Sequence, residues 1–172
     1  VRQYEAEIRT DHKNLSFYKR IRWLSAYRGL LGGKDVDWRS FEEDLPEENA
    51  EGGWLYMLSL KYRGALRAFS GDVSGARDDF SKAARLIDKY DQMPMLAFLG
   101  ATVALQAGES LISAENELAI QYLAKSKDGF GKMIDWFTAK EINASQWLAR
   151  ADGLLGGLPI TTLPNPQKYY PY

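Results

Sequence analysis

Apolar residues recur every three or four positions along most of this chain, and this helical period constrains the fold more than any other sequence feature. The clearest case is Leu15–Leu31, whose apolar residues form one stripe: Tyr18, Ile21, Leu24, Tyr27 and Leu31. Asn14 is suited to cap the start of this helix, and Gly32-Gly33 to end it. Because the strict alternation typical of strands is scarce, the sequence predicts an all-α protein.

The same period, with the usual start and stop residues, predicts further helices along the chain. Their expected ranges are 49–69, 74–89, 94–108 and 111–125. Gly129 and Gly131 are expected to interrupt the pattern as a flexible joint. Thr138 and Glu141 have the spacing of a capping box, so a last helix is expected to begin there and to end at Gly156-Gly157.

The last fifteen residues have a different composition from the rest. From Leu158 to Tyr172 the chain contains four prolines and three tyrosines, which do not continue a helix. We therefore expect one helical domain over residues 1–157 and an extended tail over residues 158–172. The tail has three open alternatives: docking on its own domain, docking on another chain, or remaining mobile.

One stretch, Leu60–Tyr90, has the pattern of a helical hairpin repeat. Gly64 is small where two antiparallel helices approach closely, and Gly71 stands at the turn. The second helix places one large side chain between two small ones: Ala76, Phe80 and Ala83. This pattern resembles the tetratricopeptide repeat, although Arg63 and Arg67 stand near the family's first-helix aromatic positions. The resemblance implies antiparallel hairpins stacked as a short right-handed superhelix, an α-solenoid that binds peptides on its concave face.

Other copies of the unit follow its spacing more loosely. Gly100 lies 36 residues after Gly64, and a Tyr-Arg-Gly triplet beginning at Tyr27 recurs 35 residues later. A competing offset of 39 aligns Gly32 with Gly71 instead. The alternative to a solenoid is an irregular helical bundle, in which glycine at a turn and alanine facing phenylalanine arise from ordinary packing.

Composition removes most classes of chemistry. Cysteine is absent and His12 is the single histidine, so thiolate sites, His-based metal sites and nucleophilic triads lack their parts. Lys plus Arg is 22 against 23 for Asp plus Glu, which gives no net attraction for nucleic acid. Paired acids leave an acid–base enzyme as a weaker hypothesis, with these candidates: Glu42, Glu43, Asp78, Asp79, Glu115 and Glu117. We expect a non-catalytic protein without cofactor or metal.

Two arginines are the leading candidates for a binding site. Arg63 and Arg67 are four residues apart, so they lie on one side of their helix and can clamp a carboxylate if that side is concave. The first helix is also locally basic, through Lys19, Arg20, Arg22 and Arg28. We expect these residues to form a charged outer face of the protein; the alternative is that they meet the acidic connector Glu42–Glu48 or an anionic partner.

Aromatic residues outside the apolar stripes are further candidates for partner binding. They are Trp38, Trp136, Tyr169 and Tyr170, because exposed aromatics are enriched at binding surfaces. A short helix over 37–44 would nevertheless turn Trp38 and Phe41 inward.

These features favour a protein–protein adaptor or scaffold that binds a peptide or a partner subunit, a second copy of the chain included. The alternative is a helical carrier that encloses a lipid or another apolar ligand. The two differ in whether the inner aromatic stripes close on one another or leave a lined cavity. No run of about 18 apolar residues is present, so we expect no transmembrane segment. The compartment stays open between cytoplasmic and exported or periplasmic.

Overall fold

The computed structural model of the chain describes residues 12–48, 53–89, 93–139 and 145–164. These ranges contain six α-helices and no strand: α1 His12–Leu31, α2 Trp54–Phe69, α3 Val73–Lys89, α4 Pro94–Leu111, α5 Asn116–Ala139 and α6 Ser145–Leu155. Two short 3-10 helices lie at Arg39–Phe41 and Ile160–Thr162. The predicted all-α class is confirmed for the described residues.

The ends of several helices follow from local chemistry. Gly71 adopts a positive φ of 85°, which a residue without a β-carbon tolerates, at the turn between α2 and α3. Asp72 caps α3, because its Oδ1 accepts a hydrogen bond from the backbone N–H of Gly75 at 2.9 Å. Pro94 occupies the first turn of α4, as predicted, where its missing N–H has no helical partner to lose.

Each helix packs against the next one along the chain, and α2 also contacts α4, while α4 contacts α6. The core lies along the two central helices. Every residue from Met57 to Leu66 of α2 is buried, as is every residue from Ala97 to Gly108 of α4. Such helices are enclosed by neighbours on all sides rather than presenting one face to water.

Two glycines set the distance between α3 and its neighbours. A β-carbon added at Gly64 of α2 would lie 3.0 Å from the ring of Phe80 on α3. A β-carbon at Gly100 of α4 would lie 2.9 Å from the Cγ2 atom of Ile87, also on α3. The two glycines, 36 residues apart in sequence, thus perform the same packing task against one face of α3, at residues two helical turns apart.

The predicted joint near residue 130 is wrong, because α5 runs without a break through Gly129 and Gly131. A β-carbon at Gly129 would lie 3.0 Å from Ala101 of α4, so this glycine permits close helix packing rather than flexibility. The predicted start of a helix at Thr138 is also wrong, since Thr138 belongs to α5 and α6 begins at Ser145. Glu141, the other half of the expected capping box, lies outside the described residues.

The predicted apolar stripe of the first helix is only partly right. The helix begins at His12, so Asn14 lies inside it rather than at its cap. Ile21 and Leu31 are 40% and 64% exposed, while Trp23 is fully buried. Tyr27 of the expected stripe does face α2, with its ring 5.5 Å from that of Tyr62, so only part of the stripe is turned inward.

The C-terminal end of the described chain turns back onto α6. Gly157, with φ of 76°, ends the helix as the sequence predicted. Leu163 packs against Gly153, where an added β-carbon would clash with the Cδ2 atom of Leu163. Arg150 donates a hydrogen bond to the carbonyl of Pro164 at 2.9 Å. Residues 165–172 of the predicted tail lie outside the described residues. Among the described helices, none is both long and apolar enough to cross a membrane.

Candidate functional site

The two candidate arginines both hold carboxylates, and these belong to the chain itself. Arg63 of α2 donates to Asp79 of α3 through Nε and Nη2, at 2.9 and 2.7 Å. Both side chains are buried, at 5% and 0% exposure. This two-pronged pair compensates the cost of removing Asp79 from water and ties α2 to α3.

Arg67, one turn further along α2, connects the same acid to the acidic connector. Its Nη1 donates to Asp79 Oδ2 at 3.1 Å, and its Nε donates to Glu42 Oε1 at 2.8 Å. Arg63 also donates to the backbone carbonyl of Glu42 at 2.7 Å. Burial acts to lower the pKa of Arg67, but the hydrogen bond with Glu42 and the charge of Asp79 raise it overall. The arginine pair thus binds one residue of the connector by both carboxylate and carbonyl.

The first helix holds the next part of the connector. Lys19 donates to the carbonyl of Leu45 at 3.0 Å and lies 3.1 Å from Asp44 Oδ1. Arg22 donates to Asp44 Oδ2 at 3.2 Å, and the indole N–H of Trp23 donates to the carbonyl of Asp44 at 3.0 Å. For Lys19 and Arg22 the structure shows the alternative to a solvated outer face, contact of the basic first helix with the acidic connector. Arg20 is instead buried, and Arg28 is exposed.

Aromatic side chains anchor the residues before the connector. The guanidinium of Arg22 lies 4.0 Å from the centre of the Phe41 ring, and the rings of Phe41 and Trp23 are 4.9 Å apart. Trp38 is only 7% exposed and packs 6.4 Å from Trp23. Its expected exposure is therefore wrong, and the inward orientation expected from a short helix is right.

Residues Asp37–Pro46, which we call the docked segment, are folded by their own hydrogen bonds. Asp37 accepts from the backbone N–H of Ser40 at 3.3 Å, and successive turns bond Phe41 to Trp38 and Asp44 to Phe41, at 3.2 and 2.9 Å. The contacts with α1 and α2 described above come from side chains of those helices. The docked segment therefore lies against α1 and α2 much as a bound peptide lies on a receptor.

The holding contacts differ in their exposure to water. The side chains of Glu42 and Asp44 are 29% and 30% exposed, and that of Arg22 is 35% exposed. Pairs at such an edge are worth little individually, typically ~0–1 kcal/mol each. The Arg63–Asp79 pair is by contrast enclosed, so water and salt screen it much less than they screen these edge contacts.

A second polar cluster, which the sequence analysis missed, lies inside the helix stack. Lys61 of α2 is fully buried and donates to Thr102 Oγ1 at 3.3 Å, while Tyr27 donates to Gln106 at 2.8 Å. Burial lowers the pKa of Lys61 to about 7, with Glu109 opposing that effect and Arg20 adding to it. The sequence signal for this lysine is its position within a continuous apolar stretch of α2.

The neighbours of Lys61 are affected by the same desolvation. Burial raises the pKa of Tyr62 to about 12 and also raises that of Tyr27. It raises the pKa of Glu109 as well, against the opposing effect of the paired Arg150 on α6. Because the cluster joins α1, α2, α4 and α6, it is part of what holds the stack together.

The remaining predicted residues are placed as follows. Trp136 is 36% exposed on α5, and Tyr169 and Tyr170 lie outside the described residues. Of the acids considered for catalysis, Asp79 is committed to the arginine pair and Glu115 lies 3.5 Å from Arg77. In the part of the chain that the structure describes, no group of three His, Asp or Glu side chains is placed to hold a metal ion.

Comparisons with protein-family models, with curated proteins and with solved structures gave no match to this chain.

Proposed function

We propose that this chain is a non-catalytic protein-interaction domain, an adaptor that holds a peptide or a partner subunit. The observation that carries the proposal is the docked segment on α1 and α2. Side chains of these helices donate to the carbonyls of Glu42, Asp44 and Leu45 and pair with two carboxylates. Carbonyls and carboxylates are the groups that an acidic peptide presents, so the same surface is suited to hold one from a partner.

The arrangement of the helices supports a short tetratricopeptide-like stack. The hairpins α2–α3 and α4–α5 follow each other, α3 packs against α4, and the first helices of successive hairpins are in contact. Gly64 of α2 and Gly100 of α4 both approach α3 closely, at Phe80 and at Ile87. We propose that these hairpins form a right-handed superhelix. Because such a stack is rigid, little conformational entropy is lost in ordering the site when a partner binds.

The contacts among the inner aromatic residues favour the adaptor over the carrier of an apolar ligand. The ring of Phe98 lies 5.7 Å from Phe130 and 5.7 Å from Trp147, and the last two rings are 5.9 Å apart. A carrier needs such stripes to stand apart around its ligand. Here side chains from α4, α5 and α6 fill that space with one another.

Aromatic residues away from the docked segment supply further anchors in this proposal. Trp136 presents part of its indole to solvent on α5, and Tyr169 and Tyr170 are added on sequence grounds. Trp38 acts indirectly, by supporting Trp23 from within the site.

The proposal is tested by affinity isolation with two charge-reversed variants. The immobilised full chain is incubated with extract of its source cells, beside the variants Lys19→Glu/Arg22→Glu on α1 and Lys127→Glu/Lys132→Glu on α5. We expect a protein retained by the wild-type chain and the α5 variant but reduced about tenfold by the α1 variant, a loss of about 1.4 kcal/mol in binding. Equal retention by the α1 variant, or no retained protein at all, contradicts the proposed site.

A further inference from the structure

We propose that the docked segment is an internal occupant of a peptide-binding groove on α1 and α2, and that an acidic–aromatic peptide of the same chemistry binds there in trans. The peptide class has two aromatic residues three apart, then acidic residues at i and i+2, then Leu-Pro. This inference rests on the proposed function and names both its partner class and its regulation.

The first reason is that hydrogen bonds within the docked segment itself form its turns. Its turns are closed by hydrogen bonds within residues 37–45, including those that Ser40 makes to Asp37 and that Leu45 makes to the carbonyl of Glu43 at 2.9 Å. A separate peptide that contains these residues therefore carries every group needed to form the turn. Little of its bound shape depends on being joined to α1 and α2.

The second reason is that the aromatic and the acidic residues of the docked segment make different kinds of contact. Trp38 and Phe41 are aromatic anchors that pack against Trp23. Glu42 and Asp44 form ion pairs with cations on two different helices. Buried aromatic anchors ringed by polar contacts are the usual composition of an energetically dominant interface patch. The same pattern of side chains identifies the ligand class.

The third reason is that the edge of the site is open. A groove of about 570 Å³ lies beside the docked segment, lined by Arg22 and residues 39–44. The carboxylate contacts at this edge are partly exposed to water. A competing segment therefore has access to Arg22, one of the two cations that hold Asp44, at this edge.

Covalent connection makes the internal occupant a strong competitor. A segment tethered by short linkers has an effective concentration of about the millimolar range. In the wild-type chain a free peptide has to overcome this advantage, which keeps weak acidic sequences out. Removing the carboxylates of Glu42 and Asp44 lowers the affinity of the docked segment for α1 and α2. The surface of α1 and α2 itself stays unchanged.

The test uses fluorescein-labelled peptide of residues 37–48, DWRSFEEDLPEE, and the full chain in three forms. These are the wild type, the variant Glu42→Gln/Asp44→Asn, and the control Glu43→Gln/Glu47→Gln, which alters two exposed acids of the same connector. Fluorescence anisotropy is expected to show about tenfold tighter binding to the first variant than to the wild type or the control. A second peptide, with Gln and Asn replacing the acids that correspond to Glu42 and Asp44, is expected to bind at least tenfold more weakly.

Equal affinity of the peptide for the three forms, or no binding to any of them, overturns the inference. Circular dichroism verifies that each form is folded. If the double variant does not fold, Asp44→Asn alone supplies the comparison, with about threefold tighter binding expected. The two proposals can fail separately. If the labelled peptide does not bind but the affinity isolation retains a partner that the α1 variant loses, the proposed function stands and the proposed competition by the docked segment is wrong.

Discussion

Individual charged residues in this protein have separate tasks that depend on their burial. Arg63 and Asp79 form a buried pair that joins α2 to α3, whereas Arg22 and Asp44 meet at the solvent edge of the docked segment. Lys61 is charged in water but fully enclosed here. The same residue types therefore serve stability in the first case, exchangeable docking in the second, and a response to pH in the third.

The buried pair is expected to dominate local stability. Arg63→Ala leaves Asp79 enclosed with Arg67 as its remaining cation, and should lower the free energy of unfolding by about 3 kcal/mol. The exposed neighbour provides the control, since Asp78→Asn should change stability by less than about 0.5 kcal/mol. Urea denaturation followed by circular dichroism measures both. Similar values for the two variants would show that the buried pair contributes no special stability.

Lys61 is expected to make stability rise with pH above neutrality. Its pKa is about 7 in the folded chain and 10.5 ordinarily, so between these values the unfolded chain binds the additional proton. Unfolding free energy should therefore increase with pH across this interval, by up to about 1.4 kcal/mol per pH unit, until the buried tyrosines begin to oppose it.

The matched variant is Lys61→Met, which keeps the length of the side chain and removes its titration. Denaturation at a series of pH values should show the rise in the wild-type chain and a flatter profile in the variant. Parallel profiles would mean that the pH dependence comes from other groups.

At the scale of helices, glycine sets how closely neighbouring elements approach. Gly64 and Gly100 lie against large side chains of α3, and Gly129 lies against α4, whereas Gly131 has nothing within 4 Å of an added β-carbon. Glycine inside a helix is unfavourable by itself, so its presence at the first three positions reflects a packing demand.

The contrast between two helical glycines is directly testable. Gly64→Ala should destabilise the chain by about 1–3 kcal/mol, because the new methyl group meets the ring of Phe80. Gly131→Ala should stabilise it by about 0.5–1 kcal/mol, since it gains helix propensity without a clash. Thermal unfolding of both variants checks the signs. Destabilisation of equal size would indicate that the packing around Gly64 is not the cause.

At the scale of the whole molecule, the stack is organised around α2 and α4. These helices are buried on nearly every side, and each contacts the helices before and after it as well as the other. The flanking helix α1 instead exposes part of its surface, including Ile21 and Leu31. Stability is therefore expected to be highest at the centre and lower toward the flanks.

Hydrogen exchange measured by mass spectrometry should show this gradient. Amides of α2 and α4 are expected to exchange about tenfold or more slowly than those of α1, because local opening at the flank exposes fewer packed residues. The Glu42→Gln/Asp44→Asn variant should speed exchange in α1 while leaving α4 unchanged. Faster exchange in α4 than in α1 would contradict the central position of that helix.

Much of the architecture was readable from the order of the residues. Helical periodicity predicted the all-α class, Gly71 the turn between α2 and α3, and Pro94 the start of α4. The errors at Gly129 and Thr138 have a common cause. Glycine was interpreted as a signal that ends a helix and threonine as one that begins it. In the structure, α5 packs against α4 at Gly129 and continues through Thr138, so neither residue marks a helix end.

The candidate site was readable in its parts but not in its assembly. Spacing alone placed Arg63 and Arg67 on one side of a helix, and charge offered the contact between the first helix and the acidic connector only as an alternative to a solvated outer face. The tertiary structure decided that the arginine pair and the first helix hold the same docked segment. It also decided that Trp38 and Lys61 are buried. Side-chain spacing within a helix is a local property of the sequence, but burial and partnership depend on which distant helices approach it, and only the packed chain determines that.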